Sequence, residues 1–226
     1  ALNERSMSDK ATKRVILSGA SGALGKAIAA TISGAGYEIA RLVRAAPSGG
    51  NIQWDPSAGV LDEARLAGAH AFVHLSGENL ASGRWNDAKK REILESRTKS
   101  TALLANAIAK MSPKPAAFLV ASAIGYYGSS RGDEELTEAS STGDDFLASV
   151  CRAWEAASEP ASKAGIRTVN LRFGVVLAKE GSALAKMLPV FKLGLGARIG
   201  SGKQVMSWVG LEDAARATLF ALETES

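Results

Sequence analysis

Arg14-Val-Ile-Leu-Ser-Gly-Ala-Ser-Gly-Ala-Leu-Gly25 reads as a strand, a turn and the start of a helix. Val15 to Leu17 is an apolar run, the pattern of a strand covered on both faces. Gly19, Gly22 and Gly25 follow at intervals of three, and Ala23 to Ser33, rich in Ala, Leu and Ile, reads as a helix that stops at Gly34 or Gly36. A glycine triplet alone is a weak signal. Between a strand and a helix it is a strong one, because glycine turns the backbone tightly and lets it approach a pyrophosphate without a Cβ in the way. The helix start then offers free N–H groups and the positive end of its dipole to phosphate oxygens. Gly19, Ser21, Gly22, Ala23, Leu24 and Gly25 are therefore the first candidate contacts of a dinucleotide.

Working outward, strands are predicted at residues 37–43, 52–54, 71–75, 116–121 and 167–177. Helices are predicted at 86–110, 145–163 and 212–223. Strands alternating with helices mean βαβ units and a parallel sheet. The expected fold class is α/β, a Rossmann-type doubly wound parallel sheet with helices on both faces, spanning residues 13–226. Residues 1–12 are polar and read as a flexible N-terminal segment, with Met7 as a candidate native start. The stretches 129–144, polar and acidic, and 193–202, glycine-rich, read as loops near a ligand.

The end of the second strand selects the cofactor. An acid there would hydrogen-bond a ribose 2′-hydroxyl. This chain has Val43-Arg44, with no carboxylate between Arg41 and Asn51. Arg44 can pair with a 2′-phosphate, which favours NADP over NAD; the alternative is a plain surface cation.

Composition narrows the classes. The 226 residues are 46% apolar and 22% charged, as in ordinary globular domains. The net charge is only +4 and aromatics are 6%, too few to interleave with basic residues as a nucleic-acid platform. Lys89-Lys90-Arg91, flanked by Asp87 and Glu92, reads as a solvated helix face. No apolar run approaches the ~20 residues that span a bilayer, and no secretory leader is visible. With a single cysteine, Cys151, read as a buried core thiol, the expected location is cytoplasmic. His70 and His74 are the only histidines; on a strand they sit about 13 Å apart, so no metal site is expected.

Further segments carry a resemblance. They are His74-Leu-Ser-Gly-Glu-Asn79, Gly83-Arg-Trp85, Ser96-Arg-Thr-Lys-Ser-Thr101, Ser122-Ala-Ile-Gly-Tyr-Tyr-Gly128, Trp154-Glu155, Gly194-Leu-Gly196 and Gln204-Val-Met-Ser-Trp208. With the glycine loop they resemble the extended and atypical branches of the short-chain dehydrogenase/reductase superfamily. Within these they resemble the "epimerase family", named for likeness to nucleoside-diphosphate-sugar epimerases and including proteins described as cell-division inhibitors. The resemblance runs from Lys13 to Glu223. It implies an NADP(H) site in which Leu75, Ser76 and Gly77 line the adenosine side, Glu92 and Arg97 meet the cofactor from the long helix, and Val176 touches the nicotinamide end. Glu92 and Arg97 are alternatively ordinary helix-surface ion pairs. It also implies a small C-terminal substrate lobe, largely absent from this chain, and a homodimer through the helices after the fourth and fifth strands. The family's usual histidine after the Gln-x-x-x-Trp motif is Gly210 here.

The superfamily's ordinary chemistry uses Tyr-x-x-x-Lys, in which the lysine lowers the tyrosine pKa so that the phenol serves as acid or base. None of the three tyrosines, Tyr37, Tyr126 and Tyr127, has a lysine four residues on. Ser122 falls where the superfamily places its substrate-polarising serine. Ser122, Tyr126 and Tyr127 are thus the candidate catalytic set, and Glu78, Asn79, Arg84 and Trp85 are candidate ligand contacts in the loop after the fourth strand. Two functions remain. One is an NADP(H)-dependent oxidoreductase or nucleotide-sugar epimerase-like enzyme acting on a small or nucleotide-linked substrate. The other is a non-catalytic NADP(H) sensor or scaffold.

Overall fold

Seven strands form one sheet in the order β4-β3-β2-β1-β5-β6-β7. The computed structural model describes residues 12–45, 48–80, 82–129, 131–198 and 200–224. Apart from Thr12, the N-terminal segment expected to be flexible lies outside them. β1 (Arg14–Ser18), β5 (Ala71–His74) and β6 (Ala117–Ala123) are the central strands, and their continuous apolar runs are buried on both faces. β2 (Glu38–Val43), β3 (Ile52–Asp55) and β7 (Arg167–Phe173) flank them in parallel. Only β4 (Val60–Leu61), a short hairpin return at the edge, runs antiparallel.

Alternate residues of the central strands feed two cores. Val15, Leu17, Val73 and Leu119 pack against α1 (Ala23–Gly34) and α6 (Leu211–Glu223) through Ile28, Ile32, Ala215 and Leu222. Ile16, Phe72, Phe118 and Val120 face the opposite layer, α2 (Asp87–Ala109), α3 (Phe146–Ala156) and α4 (Glu159–Lys163), through Leu104, Ile108, Trp154 and Ala161. The doubly wound Rossmann-type fold follows.

Several elements depart from the expectation. The helix expected over 145–163 breaks after Ala156, and Pro160 sits in the first turn of α4; proline lacks the N–H needed to continue the preceding turns. The strand expected over 167–177 breaks at Gly174, where a Cβ would meet Ser207 at 3.0 Å. Beyond it, β8 (Val175–Leu177) leaves the main sheet and pairs with β9 (Trp208–Gly210). Between them lies α5 (Ala183–Lys192), which the pattern does not announce because Pro189 sits inside it. No helix among the described residues is long and apolar enough to cross a membrane.

Candidate functional site

Strand order reverses between β1 and β5, so the chain leaves their carboxyl ends in opposite directions and a crevice opens between. A cleft of about 700 Å³ lies there. Its walls are Gly19, Ser21 and Gly22, Arg44 after β2, Trp54–Ser57 at the end of β3, Leu75–Glu78 after β5, and the Glu92, Glu95, Ser96, Lys99 and Ser100 face of α2.

The three glycines do different work. Gly19 has φ +71°, and a Cβ there would sit 2.9 Å from the Leu75 carbonyl carbon, so it lets β1 and β5 part closely. At Gly25 a Cβ would lie 2.2 Å from the Gly19 carbonyl oxygen; only glycine lets α1 start against the loop. Gly22 meets no such internal obstacle, its nearest neighbour being at 3.7 Å. It is exposed and faces the cleft, so its bareness serves whatever enters. Gly22 is also the N-cap of α1, with no side-chain cap and no acid in the first turn. Free N–H groups at the starts of Ala23 and Leu24 therefore remain for an anion. Ala23, Leu24 and Gly25 stand behind the lining, and the Gly181 turn closes onto Ala23, where a Cβ would come within 3.3 Å.

Arg44 is exposed at the cleft and forms no ion pair among the described residues. Sequence spacing showed no acid near it, yet the fold brings Asp55 within electrostatic reach. Asp55 is turned into its own loop: Oδ1 accepts from the Ser57 amide at 3.0 Å and the Ser57 hydroxyl at 2.5 Å. These bonds, Ser57's first, hold its carboxyl below the usual range, with a smaller contribution from Arg44.

The opposite wall is braced. The Glu78 amide donates to Ser96 Oγ at 3.1 Å. Arg97 is buried under Gly77, donates to the Ile93 and Glu78 carbonyls at 3.1 and 3.0 Å, and stacks on Trp154 at 5.0 Å. The structure thus places Arg97 behind the 75–78 loop, and Glu92 on the cleft wall. The solvated-face reading of 89–91 needs correction at Lys89. Its side chain is only 13% exposed and lies between Glu78 at 2.6 Å and Glu92 at 3.1 Å. Asn86 caps α2 by accepting from the Lys89 amide, and the Lys89 side chain is held over the loop by Glu78. Its hydrogen bond holds the Glu78 carboxyl below its ordinary range. Trp85 is exposed, donates to the Leu80 carbonyl and meets Phe146 edge-on at 5.9 Å.

Ser122, Tyr126 and Tyr127 form a different assembly, and none of them lines the cleft. In the register, Ser122 of β6 faces Arg172 of β7. Ser122 Oγ donates to Glu155 Oε1 at 2.6 Å, and Arg172 grips the same carboxylate with Nε and Nη2 at 2.8 Å each. Arg172 Nη1 donates to the Tyr127 hydroxyl at 3.0 Å, while its guanidinium lies 3.5 Å from the Tyr126 ring. Hydrogen bonding to Glu155 holds Arg172 firmly charged. The Tyr126 hydroxyl makes no hydrogen bond among the described residues; this side chain lines a second cavity of about 340 Å³ with Arg152, Glu159 and Asn170. Val176 lies on β8, paired with Val209 and outside the cleft lining. Cys151 is buried, its Sγ 3.7 Å from the Ala123 carbonyl, and burial pushes its thiol pKa up.

Trp54–Ser57 and Glu95 are cleft residues that the sequence did not single out, and Lys99 and Ser100 fell in the Ser96–Thr101 segment that carries the resemblance without being given a site role. The α2 set was detectable in principle: Glu92, Glu95, Ser96, Lys99 and Ser100 recur at three- and four-residue spacing, one helix face. Nothing in the β3 run announced that its end turns toward Arg44.

Residues 15–226 match the model of the NAD dependent epimerase/dehydratase family. An epimerase family protein of Mycobacterium bovis is 42% identical over 209 residues, 92% of this chain and 68% of its own length. Human epimerase family protein SDR39U1, solved with NADPH, superposes with a TM-score of 0.83 at 36% identity, covering 94% of this chain and 70% of that one. A nucleoside-diphosphate sugar epimerase from Corynebacterium glutamicum superposes at 0.82 with 38% identity, covering 93% of this chain but only 44% of that one.

Proposed function

The chain belongs to the NAD dependent epimerase/dehydratase family, and we propose that it is an atypical short-chain dehydrogenase/reductase that binds NADP(H) in the cleft between β1 and β5. The observation that carries this reading is the donor set lining the cleft: an uncapped α1 start, a bare Gly22 and an Arg44 with no ion pair among the described residues. These fit a pyrophosphate and a 2′-phosphate. The similarity to human SDR39U1, solved with NADPH, supports the same choice. When bound, the dinucleotide supplies hydride transfer. The chain's own residues bind it, orient it against the 75–78 loop and cover one side with α2.

The substrate is a small or nucleotide-linked carbonyl or alcohol, and the reaction is of the oxidoreductase or epimerase-like kind without a Tyr-x-x-x-Lys pair. Of the three candidate catalytic groups, Ser122 gives its proton to Glu155, and Tyr127 is held through its oxygen, which accepts from Arg172. We assign the proton to Tyr126: its hydroxyl has no partner among the described residues, and the Arg172 guanidinium stacked 3.5 Å from its ring holds the phenol in place. A second reading, a non-catalytic NADP(H) sensor, is favoured by one observation: Tyr126 lines its own cavity rather than the cleft. The buried, unpaired Cys151 suits a reducing, cytoplasmic compartment.

Thermal unfolding with added dinucleotide tests the binding claim. NADPH at a hundredfold excess over its dissociation constant should add about 2.7 kcal/mol of stability, with NADH adding much less. Turnover of NADPH with a carbonyl panel then divides the two readings. Loss of turnover in Tyr126→Phe with unchanged NADPH binding supports the enzyme; full turnover in that variant removes Tyr126 as the acid, and no turnover in the wild type favours the sensor.

A further inference from the structure

His74, the last residue of β5, lies fully buried beneath the cleft. Both its ring nitrogens have partners: Nδ1 lies 2.7 Å from Ser18 Oγ, and Nε2 lies 3.1 Å from Ser100 Oγ. The proton positions along this chain follow from its two ends. Ser100 Oγ is 2.6 Å from the Ser96 carbonyl and 3.1 Å from the Arg97 carbonyl. Carbonyl oxygens only accept, so the Ser100 proton is committed there and its oxygen is left to accept from the imidazole. At the other end the Leu75 N–H donates to Ser18 Oγ at 3.1 Å, leaving the Ser18 proton for Nδ1. The ring sits against Trp54, edge-on at 5.7 Å, and Phe118 at 6.5 Å, surroundings that disfavour a charged imidazole.

We propose that His74 is the positioning residue of the cleft, a neutral imidazole with its proton on Nε2 that locks the 75–77 loop, through Ser18, to the Ser100 face of α2. The inference rests on the dinucleotide reading above. The Leu75–Gly77 loop and the Ser96 and Ser100 face of α2 both line the cleft. Beyond Gly77 the two are tied by the Glu78 amide and by Arg97. His74 is the buried tie between them, and it also draws in β1 through Ser18, so three elements that must keep their spacing meet on one ring. Each bond fixes the direction of the next, and slack in one is felt along the whole chain. A cleft held at its binding width before the ligand arrives loses less free energy to ordering on binding.

The test has two arms on the full chain. Nitrogen-15 NMR of the histidines without cofactor should find His74 protonated on Nε2 and bare on Nδ1 at neutral pH; a proton on Nδ1 overturns the proposal. Ser18→Ala and Ser100→Ala, each shown folded by circular dichroism at the temperature used, should bind NADPH about tenfold more weakly than wild type, the loss of one buried hydrogen bond. Lowered melting temperature with unchanged NADPH affinity would make the chain a matter of stability alone and overturn the positioning role. Should the wild type bind neither NADPH nor NADH, the cofactor reading fails and the positioning role falls with it. Wild-type binding with unaltered variants sinks the positioning role only.

Discussion

The cleft between β1 and β5 and the cluster around Arg172 are both polar, both at strand carboxyl ends, and built on opposite principles. In the cleft, donors are left over: the first N–H groups of α1 lack a cap, and Arg44 has no ion pair among the described residues. Around Arg172, the Ser122 and Arg172 donors are spent on neighbours: both donate to Glu155, Arg172 also donates to the Tyr127 hydroxyl, and the two ion-paired side chains are 20% and 12% exposed. Unsatisfied donors facing solvent mark a place prepared for an anion. A closed, half-buried network marks a place where geometry is being held. Ser122, Glu155, Arg172 and Tyr127 thus form a brace beside Tyr126, whose ring stacks on the Arg172 guanidinium.

The largest effect should come from breaking that brace. Arg172→Ala leaves the Glu155 carboxylate shielded and without its partner, which costs about 3–5 kcal/mol in chemical denaturation. A cost below about 1 kcal/mol would mean that the network is as loose as a surface pair.

Next comes acid. Burial holds native His74 down at about 3, against an ordinary value of 6.5 in the unfolded chain. Between these values the unfolded state binds the extra proton, so stability falls as pH drops from 6.5 toward 3. Well inside that window the slope from this group is about 1.4 kcal/mol per pH unit. His74→Gln should flatten the stability profile between pH 6 and 4 (roughly the steep part of that window); a profile as steep as wild type would show that carboxylates alone set it.

The smallest effect sharpens the division of labour between the tyrosines. Tyr127→Phe removes one hydroxyl that accepts from Arg172 and should cost about 1 kcal/mol of stability. It should leave NADPH affinity untouched, because Tyr127 does not line the cleft. A loss of NADPH affinity in this variant would merge the two regions into one site.

Much of the cleft was legible in the sequence because local backbone chemistry built it. Strand, glycine turn and helix start are neighbours along the chain, so Gly19, Gly22 and Gly25 could be read without knowing the fold, and Arg44 followed from the end of the next strand. What the sequence concealed depends on long-range registry. Asp55 reaches the field of Arg44 only because β3 lies beside β2. Arg172 meets Ser122 only through the β6–β7 register, and no local pattern marks it as the partner of Glu155. Lys89 looked solvated because its flanking charges suggested a polar helix face, whereas Glu78, distant in sequence by a loop, draws its side chain in. Gly174 reads as a strand residue until Ser207 is seen against it.

Calorimetric titration of wild type and Arg44→Ala with NADPH and with NADH tests most directly whether the cleft takes NADP(H) and Arg44 reads the 2′-phosphate. Wild type should prefer NADPH, and Arg44→Ala should lose about 10- to 100-fold in NADPH affinity, the worth of a charge-assisted contact, while NADH affinity hardly changes. Equal losses for both dinucleotides, or a wild type that prefers NADH, would contradict that reading.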